Sequence, residues 1–290
     1  MKGLRLFLIL FTAFVQLTAC MSKKNETPIQ LVHYPDFASS YVVARNVEVM
    51  LPPGYSAEKA YDVIYMHDGQ NIFNPETSYA GVAWEVDKAI IRLIEEEKIR
   101  PSIIVAIWNT PKRMQEYMPA KPSDLVSYKA EKARWDDVII SDNYLKFIVT
   151  ELKPFIDNTY STRPNRESTF VMGSSMGGLI SLYALTEYPE VFGGAGCISA
   201  HWLALDGVFL DYVKNNLPQP GNHKIYFDYG TETLDAQYEP FQQKVDKMME
   251  DKGFTKGKDW LTLKFQGADH SEKAWKERVH IPLEFFLSKE

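Results

Sequence analysis

The sequence predicts an α/β fold: a mostly parallel central sheet with helices on both faces. Three observations predict it. Short apolar, β-branched runs alternate with longer stretches of helical periodicity along the chain. No internal repeat, low-complexity tract or Pro/Gly/Ser-rich linker divides the 290 residues, so the alternation belongs to one layered domain. The composition, 45% hydrophobic and 24% charged, is that of an ordinary globular chain and excludes disorder, collagen-like repeats and a disulfide scaffold.

The elements follow in order. Lys2 and Arg5 precede an apolar run of about ten residues, too short for the roughly 20 a bilayer span needs, and read as a secretory signal. Leu17-Thr18-Ala19-Cys20 resembles a bacterial lipobox. Residues 1–19 are therefore expected to be a lipoprotein signal and Cys20 the site of lipid attachment, with a plain signal peptide as the alternative. The expected location is the periplasm or outer membrane, the lipid being the only membrane contact. Residues 20–39 read as a polar tether and N-terminal segment, and 40–290 as a single domain. Residues 41–51 alternate and predict an antiparallel edge hairpin. Residues 61–66, 102–107, 169–172, 194–198, 224–227 and 261–265 read as buried strands of a parallel sheet. Helical spacing covers 84–97, 145–156, 179–188, 238–252 and 271–287.

Charge and cysteine content narrow the function. With 32 Lys plus Arg against 38 Asp plus Glu the net charge is −6, and no basic excess exists to neutralise a phosphate backbone; no nucleic-acid partner is expected. Cys197 is the one thiol besides Cys20 and reads as a small buried hydrophobe. No zinc-ligand spacing and no phosphate-binding glycine loop after the first strand occurs, so neither metal nor cofactor is expected.

In a parallel sheet, chemistry gathers at the carboxyl ends of the strands. After the strand at 169–172 stands Gly173-Ser174-Ser175-Met176-Gly177-Gly178, then a helix. Gly173-x-Ser175-x-Gly177 is the nucleophile-elbow pattern: a strand-to-helix turn too tight for side chains at the glycines, with the serine at its tip and a helix N-terminus behind it. Ser175 is the expected nucleophile, and the Met176 amide one half of an oxyanion hole. A serine needs a base. His33 and His223 read as solvated, His280 as a surface or packing residue, and His67 precedes the nucleophile. His270 follows the last strand and opens the last helix, the slot a base takes when the chain order is Ser, acid, His. The acid should lie after the strand at 224–227. Asp235 is expected and Glu232 competes; Asp228 reads as a turn residue at the strand end, and Asp269 as a cap of the last helix. The second oxyanion donor is expected from His67-Asp68-Gly69-Gln70-Asn71, where Gly69 would let the backbone approach the substrate and Gln70 donate its amide; a plain β-turn is the competing reading.

Tyr65-Met66-His67-Asp68-Gly69-Gln70-Asn71, the Gly173–Gly178 elbow and Gly267-Ala268-Asp269-His270-Ser271-Glu272-Lys273-Ala274-Trp275 together resemble the esterase family of α/β-hydrolases. That family includes esterase D-like enzymes, feruloyl and acetyl-xylan esterases, enterochelin-type siderophore esterases and mycolyltransferases. The resemblance spans roughly residues 40 to 288. It implies the α/β-hydrolase fold, Ser175 as nucleophile, His270 as base, the Gln70 and Met176 amides as oxyanion hole, and an acid after Gly230-Thr231, which both Glu232 and Asp235 follow. The implied activity is ester hydrolysis through an acyl-enzyme, on feruloyl or acetyl esters of carbohydrates. A siderophore-type esterase, an acyltransferase and a non-catalytic glycan-binding lipoprotein are the alternatives. Trp84, Trp108, His201 and Trp202 fall near strand ends where they could border a cleft, core packing being the other reading of each. The charged segment 111–142, with Trp135, reads as an insertion over the cleft.

Overall fold

The computed structural model describes residues 28–123 and 139–289. The expected signal, Cys20 and Trp135 lie outside the described residues. The strands are β1 (Gln30–Phe37), β2 (Arg45–Leu51), β3 (Asp62–His67), β4 (Ser102–Ile107), β5 (Thr169–Ser174), β6 (Gly194–Ile198), β7 (Lys224–Gly230) and β8 (Trp260–Phe265). They form one sheet in the order β1-β2-β4-β3-β5-β6-β7-β8. β1 with β2 and β2 with β4 pair antiparallel, and the remaining neighbours are parallel. This is the α/β-hydrolase fold.

The central strands β3 to β6 are buried along their whole length, which is why they read as continuous apolar runs rather than alternating ones. Pairing carries two strands beyond those runs: Ser174 faces Ile198 and Gly230 faces Phe265. The hairpin spans 30–51, so its outer strand comes from the stretch ahead of residue 40. β1 is the exposed edge, where Pro35 costs no ladder bond and the register shifts between Tyr34 and Phe37.

The helices are α1 (Val86–Glu95), α2 (Arg113–Tyr117), α3 (Ala120–Ser123), α4 (141–159), α5 (Met176–Glu187), α6 (Val208–Asn216), α7 (Glu239–Asp251), α8 (Glu272–Arg278) and α9 (His280–Leu287). One core lies between the sheet and α4 to α7, with Tyr65, Val105, Val171, Ile148 and Leu182 at its centre. The other lies under α1, α8 and α9, with Ile64, Met66, Ile90, Leu283 and Phe286. α5 is buried on every side from Met176 to Thr186, as an apolar-all-round sequence requires. α4 widens to a π-helix over Phe147–Leu152, just ahead of Pro154, which has no N–H to donate backwards.

Several expectations need correcting. The last helix is two, because Pro282 cannot donate to the Arg278 carbonyl and the first helix ends there. α6 was not anticipated. His223 is not solvated: it is buried, with Nε2 2.9 Å from the Pro189 carbonyl oxygen. The described start of the segment 111–142 is core rather than an added cover: Glu116 and Tyr117 of α2 are fully buried. There Arg45 donates to both oxygens of Glu116 while its guanidinium lies 5.1 Å from the Tyr144 and Phe147 ring centres.

Candidate active site

Because β3 to β8 run parallel, their carboxyl ends share one edge of the sheet, and the expected site residues emerge there. Ser175 joins β5 to α5 with φ 56° and ψ −121°, a conformation that costs a non-glycine residue roughly 1–3 kcal/mol. The surroundings hold it. Its amide donates to the Ile198 carbonyl at 2.9 Å, and its own carbonyl accepts from the Gly178 amide at 3.0 Å and the His201 amide at 3.2 Å. A Cβ at Gly173 would lie 2.9 Å from the backbone carbon of Gly177, so the elbow closes only with glycine there. Met176 opens α5, and its N–H has no carbonyl one turn behind it.

His270 follows β8, and Asp235 sits in the 3-10 turn Thr233–Gln237 after β7. Two loops are stitched to bring them together. The Thr231 and Glu232 amides donate to the Ala268 carbonyl at 2.9 and 3.0 Å, and the His270 amide donates to Thr233 Oγ1 at 2.9 Å. Gly230 permits this, since a Cβ there would lie 2.1 Å from the Ala268 oxygen. His270 Nδ1 then lies 2.5 Å from Asp235 Oδ1, which places the proton on Nδ1 and leaves Nε2 as the basic nitrogen. Burial pushes the Asp235 carboxyl up, but the hydrogen bonds from His270, Ser199 and the Gly230 amide outweigh it and hold the group below the usual value. Glu232 is exposed and engages the loop through its amide. The structure thus joins Asp235, not Glu232, to the histidine. Asp269 does not cap α8 either; Ser271 does, accepting from the Ala274 amide, while Asp269 accepts from the Ser271 hydroxyl.

The turn after β3 occupies the facing side. Gln70 lies in the 3-10 turn Gly69–Asn71, whose first amides have no intrahelical acceptor. Gly69 is required for a reason other than substrate approach: a Cβ there would lie 2.6 Å from the Ala106 carbonyl carbon, so the turn packs directly on the β4 backbone. Asp68, in the left-handed region at φ 56°, anchors the turn. Its carboxylate accepts two bonds from Arg113 (2.6 and 2.8 Å) and one from Asn109 Nδ2 (2.5 Å). A Cβ at Gly177 would stand 3.4 Å from Asp68 Oδ2, so this anchor touches the elbow. Arg113 and Asn109 lie far from any motif and were not anticipated.

Of the four residues expected to border a cleft, two do not. Trp84 is buried and packs 5.7 Å from the Trp275 ring, which in turn stands edge-on to His270 at 4.9 Å. Trp202 is core, donating to Gln242 Oε1 at 3.0 Å and stacked with Phe209. Each ring finds an apolar layer within reach, and burial wins over exposure. Trp108 is half-buried beside the hairpin, its indole donating to Glu48. His201 remains at the site, half-buried, with Nδ1 2.7 Å from the Tyr238 hydroxyl. Burial first, then the neighbouring His270 and Arg113, lower its pKa to about 4, so it is neutral at pH 7. His67 is no base: it is buried against Tyr144, with a pKa lowered by burial to about 3. Among the described residues no group of His, Cys, Asp and Glu is arranged to hold a metal ion. A cavity of 890 Å³ opens at the opposite, amino-terminal edge of the sheet, between Arg100, His223, Lys258 and His280, and contains none of these groups.

A strained serine after a parallel strand, with a carboxylate and its histidine partner two and three strands along, thus stands at one edge of an α/β-hydrolase fold. Comparison agrees. Residues 40–281 match the family described as "Putative esterase", and the chain belongs to it: it is a carboxylic ester hydrolase. The Bacillus subtilis protein YbbA is 23% identical over 256 residues, 84% of this chain and 93% of YbbA. Ferri-bacillibactin esterase BesA of Bacillus subtilis is 28% identical over 151 residues, about half of each chain (49%). The solved structure of a ferulic acid esterase superposes with a TM-score of 0.64 at 18% identity, covering 90% of this chain and 98% of that one, a likeness of fold.

Proposed function

We propose that the protein is a serine esterase that cleaves feruloyl or acetyl esters of carbohydrates through an acyl-enzyme. The observation that carries the mechanism is the 2.5 Å pairing of His270 with a buried Asp235 beside the strained Ser175 elbow. Ser175 Oγ attacks the ester carbonyl while His270 Nε2 takes its proton. The carbonyl oxygen becomes an oxyanion between the Gln70 and Met176 amides. His270 returns the proton to the leaving alcohol, and water, activated by the same nitrogen, releases the acid and restores Ser175. Asp235 keeps the imidazole in the required tautomer and stabilises its cationic form.

The substrate class rests on the likeness to a ferulic acid esterase, with neutral His201 and half-buried Trp108 as the polar and aromatic groups that would meet it. BesA similarity favours one second reading, a siderophore-type ester substrate. The signal-like start with Cys20 supports export and lipid anchoring, which palmitate labelling of wild type against Cys20→Ala tests. For the site itself, the test is fluorophosphonate labelling of purified protein beside Ser175→Ala, followed by a panel of feruloyl, acetyl and catecholate esters. Labelling confined to the wild type is expected; a folded wild type that takes no label overturns the serine mechanism, and a panel in which catecholate esters turn over fastest moves the substrate to the second reading.

A further inference from the structure

Behind the histidine–carboxylate pair stands a buried polar group that the reaction as described does not use. Ser199 follows β6, is fully buried, and sits at φ 41°, a left-handed conformation that a serine adopts only under constraint. The constraint is Asp228: its backbone carbonyl and its Oδ1 both accept from the Ser199 amide, at 3.0 and 3.1 Å. This aims the Ser199 hydroxyl at three partners. Trp275 Nε1 lies 3.1 Å away, an Arg278 Nη2 2.7 Å, and Asp235 Oδ2 2.6 Å.

The direction of these bonds follows from the chemistry of the groups. An indole N–H and a guanidinium only donate, so they fill both lone pairs of the hydroxyl. Its single proton has one acceptor left, the Asp235 carboxylate. Arg278 is itself buried, bonded to Asp228 Oδ1 at 3.0 Å and lying 4.8 Å over the Phe265 ring. It approaches Asp235 Oδ2 no closer than 3.9 Å, so its hold on that carboxylate passes through Ser199. The other bond to Oδ2 comes from the Gly230 amide at 2.6 Å. With Oδ2 doubly held, Oδ1 has one orientation, toward His270. The titratable groups around this carboxylate are His270 ahead of α8, Arg278 on α8, Asp228 on β7, Tyr238 ahead of α7 and His201 after β6.

Building on the serine-esterase reading, we propose that Ser199 is a positioning residue of the reaction, a hydroxyl whose proton, directed by Arg278 and Trp275, locks Asp235 in the rotamer that serves His270. The test separates action through Asp235 from general support of the fold. The rate constant of fluorophosphonate labelling is measured for wild type, Ser199→Ala, Asp235→Asn and the double variant. Ser199→Ala is expected to slow labelling about tenfold, close to the lower end of what a hydrogen bond to a charged group contributes. In the Asp235→Asn background the same change is expected to matter less than twofold, because residues acting as a unit are not additive. Equal loss in both backgrounds, or none in either, overturns the proposal. Should Ser199→Ala not fold, Ser199→Gly, which suits the φ of 41° and adds no volume, also removes the hydroxyl and is read in the same cycle. A wild type that does not label at Ser175, or an Asp235→Asn variant as fast as wild type, instead overturns the catalytic reading on which this rests.

Discussion

Replacing Asp235 by asparagine removes one charge and changes no volume, and the structure dictates how the new amide must sit. Oδ2 receives the Gly230 amide at 2.6 Å and the Ser199 hydroxyl at 2.6 Å, both donors. The side-chain carbonyl must therefore keep the Oδ2 position, and the NH2 group must take the place of Oδ1, facing His270 Nδ1. It then donates to that nitrogen, drives the imidazole proton to Nε2 and takes away the base that Ser175 needs. The lost attraction alone is large. Nδ1 and Oδ1 are 2.5 Å apart, so the imidazolium and carboxylate charge centres stand about 4 Å apart, worth about 4 kcal/mol at an effective dielectric constant of about 20. At about 1.4 kcal/mol per decade this is roughly 10³-fold in rate, and the wrong tautomer extends it toward about 10⁴-fold. The assay is kcat/KM for 4-nitrophenyl acetate at pH 7.5, with unfolding by urea as the control for folding. A folded Asp235→Asn variant that loses less than tenfold would refute the assignment. Glu232→Gln, altering an exposed side chain, should stay within twofold of wild type in the same assay.

Three further outcomes rest on buried groups of the same fold. Glu116→Ala leaves the Arg45 guanidinium, whose side chain is 1% exposed, without its counter-charge, and should cost about 3–5 kcal/mol in urea unfolding; a loss below about 1 kcal/mol would mean the pair is not buried in solution. Gly69→Ala drives a Cβ to 2.6 Å from the β4 backbone and should both destabilise the fold by at least about 2 kcal/mol and slow fluorophosphonate labelling, whereas Gly54→Ala, in open space at φ 67°, should cost only about 1–2 kcal/mol and leave labelling unchanged. His67 and His201 are neutral in the fold with pKa values of about 3 and about 4, burial being the main cause in both, and return to about 6.5 on unfolding. The unfolded chain thus binds protons that the folded one refuses: this stability is complete above about pH 6.5 and falls by about 1.4 kcal/mol per pH unit for each histidine as pH drops toward 4. Urea unfolding at pH 7.5, 6.5, 5.5 and 4.5 checks this, and a flat profile would contradict it.

The order β-strand, elbow, acid, histidine was legible because each of its signals is local. A buried parallel strand must be apolar along its length, a strand-to-helix turn of this tightness needs glycine at Gly173, where a Cβ would meet the Gly177 backbone at 2.9 Å, and a helix begins where its periodicity begins. Asp235 and His270 could be nominated from their places after β7 and β8, since parallel strands bring all carboxyl ends to one edge. Local signals fail where the deciding partner is remote. Glu232 and Asp235 are three residues apart and chemically alike; what separates them is the stitching of their loop to the Ala268 carbonyl, which buries one and exposes the other. Trp84 and Trp202 stand near strand ends yet turn into the two cores, because an apolar layer from elsewhere in the chain was there to receive them. Ser199, Arg278, Arg113 and Asn109 carry no motif at all. Their roles come from long-range contacts, Ser199 to Arg278 across 79 residues and Asp68 to Arg113 across 45, and a polar side chain acquires such a role only when folding removes water and leaves a buried carboxylate as its remaining partner.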